Sequence, residues 1–288
     1  MDPAEKNDRN ETALPRELFG YEVLRPLGEG AGSRIYVAKD RATGRTVALK
    51  HVLRAGEKDI RFVEQLLNEF DISRRVEHRY LRRLIDVKVE RTLLRRVTSA
   101  VVVMELFEGS PLDQRLPRAD ASLVRVFIRA AKALRAMHKA GVVHCDLKPA
   151  NILWADDGGV RVIDLGQACP IGTKKERIQG TPDYISPEQV KRLPVDERTD
   201  VYSFGATLYW CLCGQRMPTL FTLDKGANSF LVDTFIKSPR DHNPLVPEAL
   251  SAFAMECART NAARRPTSMQ TVVERLETIF VGVRGKSA

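Results

Sequence analysis

No stretch of this 288-residue sequence approaches the ~18 consecutive apolar residues needed to span a bilayer. The polar opening MDPAEKNDRNETALPRE also lacks the apolar core of a secretion signal. These two absences exclude a membrane-spanning helix and argue against secretion. Cysteine is scarce and odd in number: the five show no disulfide-framework spacing, and two of them, Cys211 and Cys213, lie inside the apolar run YSFGATLYWCLCG. No second Cys/His pair stands near them to complete a metal site. Buried free thiols in a reducing compartment are the expectation, and with them a soluble, cytoplasmic protein. Repeats and low-complexity tracts are missing as well. With 43% apolar and 29% charged residues the composition is that of a globular protein, so disordered and fibrous classes fall away.

Acidic residues are outnumbered, leaving a net charge of +9 that points to an anionic partner such as a nucleotide, a phospholipid surface or an acidic protein. Part of the excess is local: Arg74, Arg75, Arg79, Arg82, Arg83, Lys88, Arg91, Arg95 and Arg96 crowd one segment. A solvated basic face is the plainer reading of such a run. No aromatic residues are interleaved regularly with these arginines, so a stacking platform for single strands, and nucleic acid as a partner, are not expected.

After a polar lead of about twenty residues, YEVLRPLGEG, SRIYVAKDRATGRTVALKHVL and LIDVKVERTLLRRVTSAVVVMEL alternate apolar and polar residues and read as strands, with RATG as a hairpin turn. Between them EKDIRFVEQLLNEFDISRRV places Ile60, Val63, Leu67, Phe70 and Ile72 near helical spacing. Beyond residue 110 the segments lengthen into helices. SLVRVFIRAAKALRAMHKAG starts after Asp120 with Ser122 as its cap, and VDERTDVYSFGATLYWCLCG, PEALSAFAMECART and SMQTVVERLETIF follow. The fold class is α+β, a small β-rich part followed by a larger α-rich one.

Gly28, Gly30 and Gly32 stand between two strands, where missing side chains let the backbone approach a phosphate chain; an ordinary glycine-rich hairpin would look the same. A dinucleotide fingerprint is excluded, because a strand follows where that motif needs a helix. Lys50 ends an apolar strand, so its ammonium has to find an anion, and Glu69 on the intervening helix is the natural carboxylate. In HCDLKPAN, Asp146 is suited to accept a hydroxyl proton, Lys148 to neutralise a phosphoryl group in transfer, and Asn151 to hold a metal through its amide oxygen. Asp164, at the end of the next strand, adds a second hard ligand for Mg²⁺. Farther on, Asp200 opens an apolar helix and must be satisfied by loop N–H groups, and a Glu188–Arg265 ion pair would clamp distant segments.

Taken in order, these stretches resemble a eukaryotic-type (Hanks-type) Ser/Thr protein kinase from about Tyr21 to Phe280. DLKPAN with GTPDYISPE is similar to the Ser/Thr branch. TDVYSFGATLYWCLCGQ resembles bacterial members, which are often tethered by a membrane helix. The resemblance implies a bilobal fold: a lead over 1–20, an N-lobe with hinge over 21–107, a C-lobe over 108–283 and a tail over 284–288. It implies that Leu27, Gly28, Gly30, Gly32 and Ser33 shape a phosphate-covering loop, with Ser33 where the third glycine usually stands. Lys50 would hold the α- and β-phosphates and pair with Glu69. Met104 would be the gatekeeper, Glu105 and Phe107 would offer backbone groups to adenine, and Ile35, Ala48 and Leu153 would sandwich its ring. Asp146 would be the catalytic base, Asn151 and Asp164 would hold Mg²⁺ (or Mn²⁺), and Thr181 would bond to Asp146 and Lys148. The cofactors implied are therefore ATP and a divalent cation.

Beyond Ser33, the sequence departs from the family pattern at several further positions. Cys145 replaces the arginine that precedes the catalytic aspartate in most regulated members (a non-RD variant), so a phosphate on CPIGTKKERIQGT lacks its usual charge partner, and activation-loop phosphorylation is expected to be dispensable. Leu165 replaces the usual Phe after Asp164. Ser73, four residues after Glu69, stands where an apolar residue normally stacks on Leu165, which would loosen the helix. Pro111, Ala150 and Trp210 occupy the positions that are acidic in arginine-seeking kinases, implying a protein substrate neutral or acidic around its Ser/Thr, with autophosphorylation as a further outcome. Two alternatives stand beside the kinase: a pseudokinase scaffold that binds nucleotide and recruits partners, and a small-molecule phosphotransferase, against which GTPDYISPE argues.

Overall fold

The computed structural model describes residues 14–30, 32–223 and 229–284. The expected polar lead is thus outside the described residues as far as residue 13, and so is the tail from 285. The chain forms two units, one running to Leu66 and resuming over Ile85–Leu106, the other comprising Leu67–Leu84 and everything from Phe107. The expectation of a single cut at 107 differs from this division, because Ile72 and Leu81 are buried in the core of the second unit.

The first unit is a six-stranded sheet: β1 (Glu17–Leu18), β2 (Tyr21–Gly30), β3 (Ser33–Asp40), β4 (Thr46–Leu53), β5 (Leu84–Arg91) and β6 (Val97–Met104), in the order β1-β2-β3-β4-β6-β5. Its alternating sequence puts Tyr21, Val23, Tyr36, Ala38, Val47, Leu49, Val101 and Val103 into one apolar layer. The β2–β3 pairing slips twice, between Val23 and Arg25 and between Pro26 and Gly28. These bulges bend the strand just ahead of the glycine turn. The RATG turn forms as the sequence indicates, with Gly44 at φ 72° and the Asp40 carboxylate accepting from the Ala42 N–H and the Thr43 hydroxyl.

Helix α1 (Ile60–Ser73) is where the periodicity predicted it, but its buried stripe is Val63, Leu66, Glu69 and Ile72. Leu67 and Phe70 are only half-buried. A carboxylate therefore occupies a position on the apolar stripe.

The second unit is built around α2 (Ala121–Lys139), buried on most of its circumference and packed against α8 (Met269–Arg284) and the two-residue strand β8 (Val142–Val143). Its cap is Asp120, whose Oδ1 accepts from the Ser122 N–H at 2.7 Å. The hydroxyl of Ser122 is not the cap, since the backbone is already helical at that residue. Phe127 of α2 meets Phe204 edge to face, centroids 5.2 Å apart, and full burial of each ring stabilises the fold by about 1.5–3 kcal/mol. Three short strands, β7 (Ser110–Pro111), β9 (Ile152–Trp154) and β10 (Val160–Val162), form a sheet in the order β10-β9-β7, and β11 (Cys169–Pro170) pairs with β8. Then come α3 (Pro187–Val190), α4 (Glu197–Cys213), α5 (Ser229–Phe235), α6 (Pro239–His242) and α7 (Glu248–Cys257). Helix α4 ends at Gly214, which takes the left-handed conformation at φ 70°. No helix among the described residues is long and apolar enough to cross a membrane.

Candidate active site

In the first unit, Gly28 and Gly30 belong to β2, and Gly30 faces Ser33 across the turn. A Cβ on Gly28 would point into open space, whereas one on Gly32, at φ 75°, would come within 2.3 Å of the Phe62 ring. Gly28 thus leaves the backbone free for a ligand, while Gly32 is needed by the fold. Lys50 lies on β4 opposite Val102, and Ala48 lies opposite Met104, both of the latter pair fully enclosed. Ile35 is opposite Lys50 on β3.

In the second unit the polar groups are tightly organised. Asp146 is buried. Its Oδ1 accepts from both the N–H and the hydroxyl of Thr181, each at 2.8 Å, and its Oδ2 lies 3.1 Å from Lys148 Nζ. Lys148 also donates to the Thr181 hydroxyl at 2.9 Å. Three groups from segments 35 residues apart therefore close into one network. Asn151 donates its amide N–H to the Asp146 carbonyl at 2.8 Å, which leaves its side-chain oxygen turned to other duty. The Asn151 carbonyl in turn accepts from the Ile163 N–H at 3.0 Å, tying the loop to the residue before Asp164. Asp164 sits at φ 65°, ψ 73°, a left-handed conformation unusual for a residue with a side chain. A carboxylate and an amide oxygen are the hard donors a divalent cation prefers, so the residues fit such an ion.

His144 fixes the loop's other end. Its Nδ1 accepts from the Asp146 N–H at 3.2 Å, so the ring proton is on Nε2, which donates to the Ile163 carbonyl at 3.1 Å. Beneath it lies Asp200, fully buried, accepting from the His144 and Cys145 N–H groups at 2.8 and 2.9 Å and from His138 Nε2 at 2.8 Å. Burial alone would raise the Asp200 pKa, but the hydrogen bonds from the His138 ring and the His144 N–H outweigh it and hold the carboxyl below its ordinary range. The loop N–H donors are those the sequence called for; His138 is an addition it did not supply.

Two more residues escaped the sequence reading. Asn68 Nδ2 donates to the carbonyls of Gly166 and Ala168 at 3.2 and 3.0 Å, and its neighbour Glu69, 3% exposed, accepts from the Leu165 N–H at 3.4 Å. Gln189 Nε2 donates to the Cys145 carbonyl at 2.8 Å and to the Gln179 carbonyl at 3.0 Å. The S-x-x-Q spacing of Ser186 and Gln189 signalled the capping box that forms here, but no pattern could name carbonyls 44 and 10 residues away. Ser73 turns its hydroxyl back to the Phe70 carbonyl at 2.7 Å. Phe107 lies beneath the Arg161 guanidinium, 4.8 Å from the ring centre. Its ring is 2.4 Å from where a Cβ on Gly109 would stand, so only glycine fits there. Leu153 is buried on β9, opposite Pro111 and Arg161. The Glu188–Arg265 pair forms bidentately at 2.8 and 3.0 Å, and Arg265 spends its remaining donors on the Arg259, Arg198 and Thr260 carbonyls.

Comparison with known proteins agrees with this geometry. Residues 21–276 match the protein kinase domain. The chain is 36% identical over 263 residues to the DNA damage-responsive serine/threonine-protein kinase RqkA of Deinococcus radiodurans, covering 86% of this chain and 38% of that protein. It is 30% identical over 292 residues to the serine/threonine-protein kinase PkaA of Streptomyces coelicolor, covering 93% of this chain and 52% of that protein. The probable serine/threonine-protein kinase PknB of Corynebacterium glutamicum is 31% identical over 206 residues, with 68% and 31% covered. The chain thus spans about a third to a half of the length of these curated relatives. The chain belongs to the protein kinase family and is similar to its bacterial Ser/Thr members.

Proposed function

We propose that the protein transfers the γ-phosphoryl group of ATP to Ser or Thr hydroxyls of protein substrates, itself included, in the cytoplasm. The observation that carries this reading is the closed network of Asp146, Lys148 and Thr181. Asp146 Oδ2 is oriented by a single lysine and retains lone pairs for the proton of an incoming hydroxyl. Lys148 supplies a positive charge beside the same carboxylate, where a phosphoryl group in transfer gathers negative charge. Thr181 holds the carboxylate's other oxygen, so the base is fixed in direction and its reaction is helped chiefly by positioning.

Asn151 and Asp164 would hold Mg²⁺ (or Mn²⁺), which when bound neutralises charge on the nucleotide's phosphates. The first unit supplies Leu27, Gly28, Gly30, Gly32 and Ser33 for the phosphates. Ile35, Ala48 and Leu153 are assigned to the adenine ring, the backbone groups of Glu105 and Phe107 to its hydrogen bonds, and Met104 to the gatekeeper position. Lys50 is assigned to the α- and β-phosphates with Glu69 as its carboxylate. The substrate is read as neutral or acidic around its hydroxyl, since Pro111, Ala150 and Trp210 bring no carboxylate.

Phosphorylation of the activation segment is dispensable in this account. Cys145, in place of an arginine, packs with Val143, Cys169 and Val195, and Gln189 already ties the loop to the segment through uncharged hydrogen bonds. Incubation with γ-labelled ATP and Mg²⁺, alone and with one acidic and one basic protein, tests the reading. Label on Ser and Thr, stronger on the acidic protein, is expected; label confined to free small molecules would refute it. A phosphatase-treated sample is expected to keep its turnover, and loss of most of it would overturn the claim of independence.

A further inference from the structure

Cys145 and Cys169 lie with their sulfurs 3.7 Å apart in an enclosed apolar cluster with Val143 and Val195. One thiol directly precedes Asp146; the other begins the segment that leads from Asp164 to Thr181. Neither takes part in the phosphoryl-transfer network. From these positions we propose that Cys145 and Cys169 are a dithiol modification site, oxidised by a hydroperoxide to an intramolecular disulfide that reversibly restrains the catalytic loop and lowers turnover.

The pair is asymmetric in a way that suits this chemistry. The Cys145 thiol, hydrogen-bonded to Cys169 and buried, is pushed well up. Cys169 is drawn down to about 7, chiefly by the hydrogen bond from Cys145, with the Lys175 ammonium and the Thr173 hydroxyl adding to it against burial. Cys211, Cys213 and Cys257 are all pushed upward, foremost by burial, so of the five thiols Cys169 alone is disposed to react as a thiolate. Attack of the Cys169 sulfur on a hydroperoxide breaks the O–O bond, forms an S–O bond and, with hydrogen peroxide, releases one water. Attack of the Cys145 sulfur on that sulfenic acid forms the S–S bond and expels hydroxide, which leaves with the Cys145 proton as a second water. Two thiols lose two electrons in all, and the peroxide gains them.

Closure from 3.7 Å to an S–S bond of about 2.0 Å asks the sulfurs to approach by about 1.7 Å. Cys145 is the fixed end, its N–H held by Asp200 and its carbonyl by Gln189, at the strained φ of 65°. The displacement therefore falls on Cys169 and on β11, five residues past Asp164. In a reducing compartment such a bond is transient, the character of a sensor and not of a staple.

The test uses the reduced full chain, treated with hydrogen peroxide, then with a thiol reductant. The expected result is loss of two of the five thiols, a mass lower by two hydrogens, and a Cys145–Cys169 crosslinked peptide under non-reducing digestion. Turnover is expected to fall at least tenfold and to return with reductant, and C169S to form no crosslink and keep its turnover through peroxide. The wild-type thiol count and peptide map stand even where C169S folds poorly, and neither depends on phosphoryl transfer. Unchanged thiols, a Cys169 stopped at its sulfenic or sulfinic acid, or a crosslink to any other cysteine would overturn the site. A crosslink that leaves turnover unchanged would overturn its effect on activity.

Discussion

Asp146 carries the account at the scale of single residues, because Lys148 and Thr181 both bond to its carboxylate. Removing the Thr181 hydroxyl leaves its N–H bond to Asp146 but takes away the bridge to Lys148. A hydrogen bond to a charged group is worth about 1.5–3 kcal/mol, so T181A should lower kcat by roughly 10- to 100-fold. Thermal unfolding should be little changed, since Thr181 is only half-buried; steady-state kinetics beside a melting curve check both halves. Asp200 makes a contrasting prediction, on stability. Its folded pKa is depressed, so the stability it contributes is fully present above the ordinary carboxylate value and is lost as pH falls through the lower folded value. The unfolding free energy of the wild type should therefore fall more steeply below about pH 4 than that of D200N, which denaturant titrations at several acidic pH values would show.

Elements are placed by close approaches that no periodicity reveals. Gly205 sits mid-helix in α4, where a Cβ would stand 2.6 Å from the Cys257 Cβ and 2.9 Å from the Ala254 carbonyl of α7. G205A should destabilise by about 1–3 kcal/mol through overpacking, despite the better helix propensity of alanine. Arg265, fully buried in its side chain, joins α3 to the stretch before α8 through Glu188. R265A strands a carboxylate and should cost about 3–5 kcal/mol. Urea unfolding of both variants is the check. In the sequence the helices were legible because apolar spacing and end signals coincide; Asp120, Gly141 and Gly214 mark their ends. The stripe of α1 was misplaced by one position because Glu69 interrupts it, and a buried acid reads as a solvated one until its partner is seen.

For the whole molecule, the α+β class and the order of the motifs were legible because each short motif is local. The residues that escaped, His138, Asn68 and Gln189, act on backbone atoms or a buried carboxylate far away in the chain, and such pairings exist only once the second unit is folded. The central claim is that this folded chain is a phosphotransferase whose base is Asp146. The most direct measurement compares wild type with D146N in transfer of label from γ-labelled ATP with Mg²⁺, with nucleotide binding measured on both. The account predicts label on Ser or Thr, a drop of about 10²–10⁴-fold in D146N, and nucleotide binding retained. Near wild-type transfer by D146N, or binding without transfer by the wild type, would contradict it.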